Sequence, residues 1–286
     1  MVNSDYIKII RPANAFMVFA MVMAGIWFSD PQFIWWKYLL AAVVPISYTG
    51  IAMIHNDIID LNIDIINAPD RPIPSGRITT AQAKIYSWVL FLIGTLSGIW
   101  LGIEAVVIMA ITLVLSLLYN SYLKKTGFLG NLTVGFTATS AFLYGDVVSS
   151  GWDNFSPISD WTPSIYLFLV SALLNTSREI SKGIMDIEGD KTYGVRTIAV
   201  VHGKKIASYF VVLFVTLALL LCIIPMINQT FGLIFIIAVI AFIILIIQTG
   251  IPLIKNPNYE TAKNFKNYLL PNMFIALVLA IIDVLF

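Results

Sequence analysis

Long apolar runs separated by short charged stretches limit the folds open to this chain more than any other feature. Nine runs can be marked, at about 12–29, 36–55, 83–100, 103–122, 128–149, 162–180, 206–227, 230–250 and 267–285. Each approaches the roughly 20 residues that a helix needs to cross a ~30 Å hydrocarbon core. Inside such a core the backbone finds no water, so helices that satisfy their own hydrogen bonds are expected. Charged residues make up 12% of the chain, about half the ~25% of a soluble domain. An all-α, polytopic membrane protein follows, with 1–286 as a single transmembrane domain. The third and fourth runs form one stretch divided near Gly98, Gly102 and Glu104, so eight spans is the alternative count. The net charge of +1 gives no footing for nucleic-acid binding. The one cysteine, Cys222, lies inside an apolar run and excludes an internal disulfide. The N-terminus, MVNSDYIKIIRPAN, lacks the pattern of a cleaved leader, so the first run is expected to remain as a span.

The basic residues test the span count independently, because cytoplasmic loops are enriched in Lys and Arg. With nine spans, the N-terminus and the loops after even-numbered spans receive 16 of the 17 basic residues, leaving only Lys37 on the other side. The expected orientation therefore places the N-terminus in the cytoplasm and the C-terminus outside. Loops on the outer side are short except for residues 149–162, which carry Asp153 and Asp160. Two cytoplasmic loops are long, at about 56–82 and 181–205. Both are rich in charge and in Gly or Pro, as ordered functional loops often are.

The first of these loops reads HNDIIDLNIDIINAPDRPIPSGRITT. On a helix, Asn56, Asp60 and Asp64 would share a face, with Asp57 beside them. Like charges one turn apart repel unless a cation sits among them, so the spacing points to a divalent-metal site. The second loop opens REISKGIMDIEGDKTYGVRT. Here Asp186 and Asp190 are four apart, and Lys182 precedes Asp186 by four. Hard cations such as Mg²⁺ take oxygen ligands and bind through a few carboxylates plus substrate phosphates. Two acidic clusters of this kind suit the gripping of a diphosphate. Basic residues nearby, Arg71, Arg77, Lys124, Lys182 and Arg196, would neutralise the charge of a departing diphosphate. Lys124 and Lys125 are equivalent at this level. Pro72, Pro74 and Gly76 suggest a rigid turn, with Thr79 or Thr80 capping the next helix. His55 reads as a neighbour of the site. Tyr119 and Tyr144 are candidates to line a channel for an isoprenoid tail. Arg11, Asn14 and Asn175 are polar groups near or inside spans and are expected to face the interior.

At these residues the chain resembles the UbiA superfamily of intramembrane prenyltransferases. The matching patterns are N-D-x-x-D-x-x-x-D at 56–64, D-R-P-I-P-S-G-R-I at 70–78 and D-x-x-x-D at 186–190. Y-x-x-x-L-K-x-x-G-x-x-G-N at 119–131 and R-E-x-x-K at 178–182 add to them, as does G-D-K-x-Y-G-x-R-T at 189–197. The resemblance implies about nine transmembrane helices around a central cavity, capped by the two cytoplasmic loops. It also implies that Asn56, Asp60, Asp186 and Asp190 hold Mg²⁺, with Asp57 and Asp64 completing the first site. Of the acids, Asp60, Asp64, Asp186 and Asp190 would then be catalytic. Lys124, Lys182, Arg77, Arg71 and Tyr119 would bind the diphosphate, with Arg11, Asn14, Tyr144 and Asn175 at the acceptor or cavity wall. Many members carry an additional Asp where this chain has Gly183, which would change the surroundings of the second motif.

The pattern is most similar to archaeal members that transfer a geranylgeranyl group from its diphosphate to the hydroxyl of geranylgeranylglyceryl phosphate. The implied partners are thus a prenyl diphosphate, a lipid-phosphate acceptor and the bilayer, with no obligatory protein partner. Prenylation of an aromatic acceptor such as 4-hydroxybenzoate or a naphthoate is the alternative. A secondary transporter is the rival of a different class. Its disadvantage is that the acids cluster at span ends beside basic loops, while the span interiors are almost free of charge.

Overall fold

In a computed structural model of the chain, residues 4–29, 34–151, 161–192 and 194–285 are described. Asp153 and Asp160 lie outside them. No strand occurs among the described residues. The helices run α1 (Ser4–Ile9), α2 (Pro12–Ser29), α3 (Trp35–Ile59), α4 (Leu61–Asn67), α5 (Thr80–Leu101) and α6 (Ile103–Ser121). A 3₁₀ turn (Leu123–Lys125) leads to α7 (Phe128–Thr139), α8 (Ala141–Ser150), α9 (Pro163–Met185), α10 (Ile187–Thr192) and α11 (Ile198–Leu221). The chain ends with α12 (Ile223–Ile227), α13 (Leu233–Lys255) and α14 (Tyr259–Leu285).

Among the described residues, seven helices are long and apolar enough to cross a membrane. The other two expected spans take different forms. The run at 128–149 breaks at Ser140 into α7 and α8. The run at 162–180 becomes α9, whose 23 residues end in a charged stretch containing Arg178, Glu179 and Lys182. The division expected near Gly98–Glu104 falls at Gly102, whose φ of +137° ends α5 immediately before α6 begins. Only glycine adopts that backbone freely.

The chain forms two compact units, one made of Met1–Ser121 with Ser140–Asn154, the other of Tyr122–Thr139 with Phe155–Phe286. In the first, α3 packs on α5, and α2 packs on α8. Small residues set these approaches. A Cβ on Gly145 would lie 3.0 Å from the Gly25 Cα, and one on Gly94 would lie 2.8 Å from the Tyr48 ring. The Tyr48 hydroxyl then reaches Thr95 Oγ1 at 2.8 Å, so a polar group inside the helix pair is satisfied. The second unit has its own core, with Ile180, Ile184, Val211, Val215, Leu253 and Phe265 among its buried members.

Apolar residues also cover the outside of the spans. On α5, Ile85, Trp88, Leu92, Leu96 and Ile99 are each more than half exposed, whereas Ala83, Gly94 and Gly98 are buried. A soluble amphipathic helix has the reverse arrangement. With hydrocarbon as the outer solvent, there is no penalty for large apolar groups outside, and small residues inside let helices approach closely.

Candidate active site

In the first unit the acidic motif occupies the end of α3 and the start of α4. Asp60 marks the joint, with φ −83° and ψ 5°. Its N–H still donates to the Asn56 carbonyl at 2.9 Å, and the Asp64 N–H to the Asp60 carbonyl at 2.8 Å. Helical spacing therefore persists through the break. The Asn56 amide donates to Asp60 Oδ2 at 3.0 Å. It also lies 3.5 Å from the Asn120 side-chain oxygen, while the Asn120 amide donates to the Ala52 carbonyl at 2.9 Å. Asn120, next to the expected Tyr119, was not singled out in the sequence. Its only signal there is a polar amide at the end of an apolar run.

Asp57 and Asp64 have different partners from Asp60. Asp57 is buried, and its Oδ1 accepts from Arg11 Nη2 at 2.7 Å and from Arg71 Nη1 at 3.5 Å. Arg71 Nη1 also pairs with Asp64. Arg77 donates to buried Asp5 at 3.0 Å and to the Asp70 carbonyl at 2.6 Å. Of the basic residues expected to meet a diphosphate, Arg71 and Arg77 thus already hold carboxylates of their own unit. The loop ends as the sequence indicates. Gly76 has φ +76°, and Thr79 forms a reciprocal cap with Gln82: Thr79 Oγ1 accepts from the Gln82 N–H, and the Gln82 side chain accepts from the Thr79 N–H.

The second motif lies at the end of α9 and in α10. Asp186 ends α9 and is exposed; the Asp190 N–H donates to its carbonyl at 2.8 Å, so the two acids are one turn apart. Burial pushes the Asp190 carboxyl above its ordinary pKa, and the charge of Asp186 adds to the shift. The Thr197 hydroxyl and the Lys124 ammonium act in the opposite direction. Lys124 is brought here by the 3₁₀ turn, because the Arg196 N–H donates to the Lys125 carbonyl at 3.1 Å. Gly127 makes this approach possible: a Cβ there would overlap the Arg196 carbonyl. Lys182 is paired with Glu179 at 2.7 Å, and Arg178 with the same carboxylate at 3.1 Å. Gly183 is buried against Thr197, and a Cβ would come within 3.2 Å of the Thr197 Cβ. Thr197 itself caps α11 by accepting from the Val200 N–H. A side chain at position 183 would require Thr197 to give way by a few tenths of an ångström.

The remaining expected positions are dispersed. The Asn14 amide approaches Met53 Sδ at 3.8 Å, and the Asn175 amide donates to the Ser171 carbonyl one turn back. Tyr144 is fully buried, and its hydroxyl makes no hydrogen bond. His55 lies beside Asn56 with its Nδ1 buried and unpaired.

Among the described residues, no three acidic, His or Cys side chains converge as a closed metal cage. Instead the chain presents two small oxygen-bearing sets, Asn56 with Asp60 and Asp186 with Asp190. Mg²⁺ suits such sets, because it usually takes one or two carboxylates and completes its octahedron with water and substrate phosphate. The repulsion between Asp186 and Asp190 is also what a bound cation would relieve.

Apolar helices that carry oxygen-bearing and basic side chains at their ends define a membrane-embedded protein with polar motifs at the ends of its spans. The chain belongs to the UbiA prenyltransferase family, whose sequence model matches residues 17–278 and so runs through both units. It is 31% identical over 285 residues to digeranylgeranylglyceryl phosphate synthase of Methanobrevibacter smithii, covering 96% of each chain. A solved structure of digeranylgeranylglyceryl phosphate synthase superposes with a TM-score of 0.84 at 32% identity, over 98% of this chain and 97% of that one. A UbiA homologue from Archaeoglobus fulgidus, solved with GPP and Mg²⁺ bound, shares the fold at a TM-score of 0.66 and 14% identity, over 96% of this chain and all of that one. The chain is a multi-pass membrane prenyltransferase.

Proposed function

We propose that this prenyltransferase moves a geranylgeranyl group from geranylgeranyl diphosphate to the free hydroxyl of geranylgeranylglyceryl phosphate, forming digeranylgeranylglyceryl phosphate. The observation that carries the acceptor assignment is the full-length similarity to a synthase of that name, at 31% identity over 96% of both chains. The A. fulgidus homologue solved with Mg²⁺ supports Mg²⁺ as the cofactor, as does the all-oxygen character of the motif side chains.

Asn56 and Asp60 would hold Mg²⁺ from the first motif, Asp186 and Asp190 from the second. Bound Mg²⁺ would supply Lewis-acid neutralisation of the diphosphate oxygens. The chain's own contribution is basic and steric. Lys124, whose charge acts on Asp190, would offer positive charge to the leaving group, and Lys182, paired with Glu179, would add to it. Cleavage of the allylic C–O bond leaves the electron pair on the diphosphate and the positive charge on the prenyl carbon. The acceptor oxygen then forms the new C–O bond, and its proton passes to a base, the released diphosphate being the one that the reaction itself supplies. Apolar surroundings withhold the water that would otherwise capture the cation. The proposed orientation puts both motif loops and the N-terminus in the cytoplasm, in keeping with the distribution of basic residues.

The test is to incubate purified protein with Mg²⁺ and geranylgeranyl diphosphate, offering geranylgeranylglyceryl phosphate or 4-hydroxybenzoate as acceptor. Turnover is expected with the lipid phosphate, and it should disappear on chelation and return with added Mg²⁺. Asp60→Ala and Asp186→Ala should each reduce kcat by at least about 100-fold, the range for losing a preorganised electrostatic contribution. Prenylation of the aromatic acceptor alone would overturn the acceptor assignment. Full activity in both alanine variants would overturn the metal assignment.

A further inference from the structure

The acids of the first motif divide into two groups by partner, and the division crosses the sequence pattern. Asn56 and Asp60 hydrogen-bond each other. Asp57 and Asp64 are both held by arginines from outside the motif helix, Arg11 and Arg71. A divalent cation placed on Asp57 would meet two guanidinium groups already bound to the same oxygen, and like-charge repulsion falls only inversely with distance.

Arg11 is unusual in its own right. It stands between α1 and α2 with φ +54°, a conformation that a side-chain-bearing residue adopts only when its surroundings enforce it. The enforcing contacts lie ahead of the joint and at Arg11 itself. Ahead of it, Asp5 of α1 holds Arg77, Tyr6 stacks edge-on against Tyr86 at 5.1 Å, and buried Ile9 joins the core. At the joint, the Arg11 side chain reaches Asp57. The N-terminal segment therefore reaches the motif loop at Asp57 and at Arg77, with Arg71 linking Asp57 to Asp64.

We propose that Asp57 and Asp64 are positioning residues: through Arg11 and Arg71 they fix the 68–78 loop and the N-terminal segment so that Asn56 and Asp60 keep their place. The assignment of Asn56 and Asp60 is the one made under the proposed function, and the test separates the two. Mn²⁺ stands in for Mg²⁺, and protein-bound Mn²⁺ is read by electron paramagnetic resonance with inorganic diphosphate present. Asp57→Asn and Asp64→Asn should keep Mn²⁺ affinity within about threefold of the parent, yet lose about 10- to 100-fold in kcat/KM for geranylgeranyl diphosphate, the range for hydrogen bonds to charged groups. Asp60→Asn should weaken Mn²⁺ binding by at least about 10-fold, as loss of a direct charged ligand requires. Arg11→Gln added to Asp57→Asn should lower kcat/KM by no more than about twofold further, since residues that act as one pair are not additive.

More than 10-fold weaker Mn²⁺ binding in folded Asp57→Asn or Asp64→Asn would overturn the proposal, as would fully multiplicative effects of Arg11→Gln and Asp57→Asn. Should the asparagine variants fail to fold, Arg11→Lys and Arg71→Lys retain the charge and alter only the fork geometry. They should cut kcat/KM about 10-fold with Mn²⁺ binding unchanged, and wild-type turnover in both would overturn the proposal. Undiminished Mn²⁺ binding in Asp60→Asn counts against the metal assignment instead, and the Arg11–Asp57 double variant still decides the pairing.

Discussion

Lys124 and Lys125 are neighbours in one 3₁₀ turn and have separate duties. The charge of Lys124 acts on Asp190, whereas exposed Lys125 contributes its backbone carbonyl to the Arg196 N–H. Sequence treats the two as interchangeable, because the distinction depends on how the turn docks against residue 196. Lys124→Ala should therefore lower kcat/KM for the prenyl diphosphate by about 10- to 100-fold, and Lys125→Ala by less than about threefold, consistent with the strength of charge-assisted contacts. Steady-state kinetics with the diphosphate varied checks both. Gly183 is a second residue whose meaning required the structure. The family resemblance marks it as a missing acid, but its contact with Thr197 makes it a packing position. Gly183→Asp should destabilise the protein by about 1–3 kcal/mol, as overpacking does, and should also disturb the Thr197 cap on α11. Thermal unfolding in detergent reads that loss.

Elements were legible where local chemistry decides them. The start of α5 is an example: the sequence offers Thr79 or Thr80 as its cap, and the structure selects Thr79, which forms a reciprocal pair of hydrogen bonds with Gln82. Thr79→Ala should remove about 1 kcal/mol, visible as a lower midpoint of thermal unfolding. Prenyl transfer below that temperature should be little changed, because Thr79 touches none of the motif acids. Elements were less legible where tertiary packing overrides hydropathy. The run at 128–149 reads in sequence as one predominantly apolar stretch, yet α7 belongs to one compact unit and α8 to the other. Gly135 packs against the Ala172 carbonyl and Thr176, while Gly145 packs against Gly25. Hydropathy records that both halves avoid water and carries no record of which neighbour each half selects. The pairing of Asp57 and Asp64 with Arg11 and Arg71 was hidden for the same reason: spacing reports which residues share a helix face, not which distant arginine arrives there.

For the whole molecule, the charge distribution is the strongest argument, because it counts every Lys and Arg of the chain, inside the candidate site and outside it. Sixteen of 17 basic residues fall on one side under the expected topology, and the motif loops fall on that side with them. A prenyl diphosphate is anionic and its tail is apolar, so a substrate that keeps its head in the cytoplasm and its tail in the bilayer meets both demands there. Among the described residues, seven helices satisfy the length and apolarity of a span, while α9 and the α7–α8 run carry the compromises: polar groups in the former, a break in the latter. The polar groups of α9 lie at its end, where the second motif begins. Orientation can be measured without activity. In a Cys222→Ser background, Ser75→Cys lies in the exposed part of the first motif loop and Asn228→Cys in the exposed turn after α12. A membrane-impermeant maleimide applied to intact cells should label Asn228→Cys and leave Ser75→Cys unlabelled until the membrane is permeabilised. The opposite pattern would invert the topology and place the motif acids outside, away from cytoplasmic prenyl diphosphate.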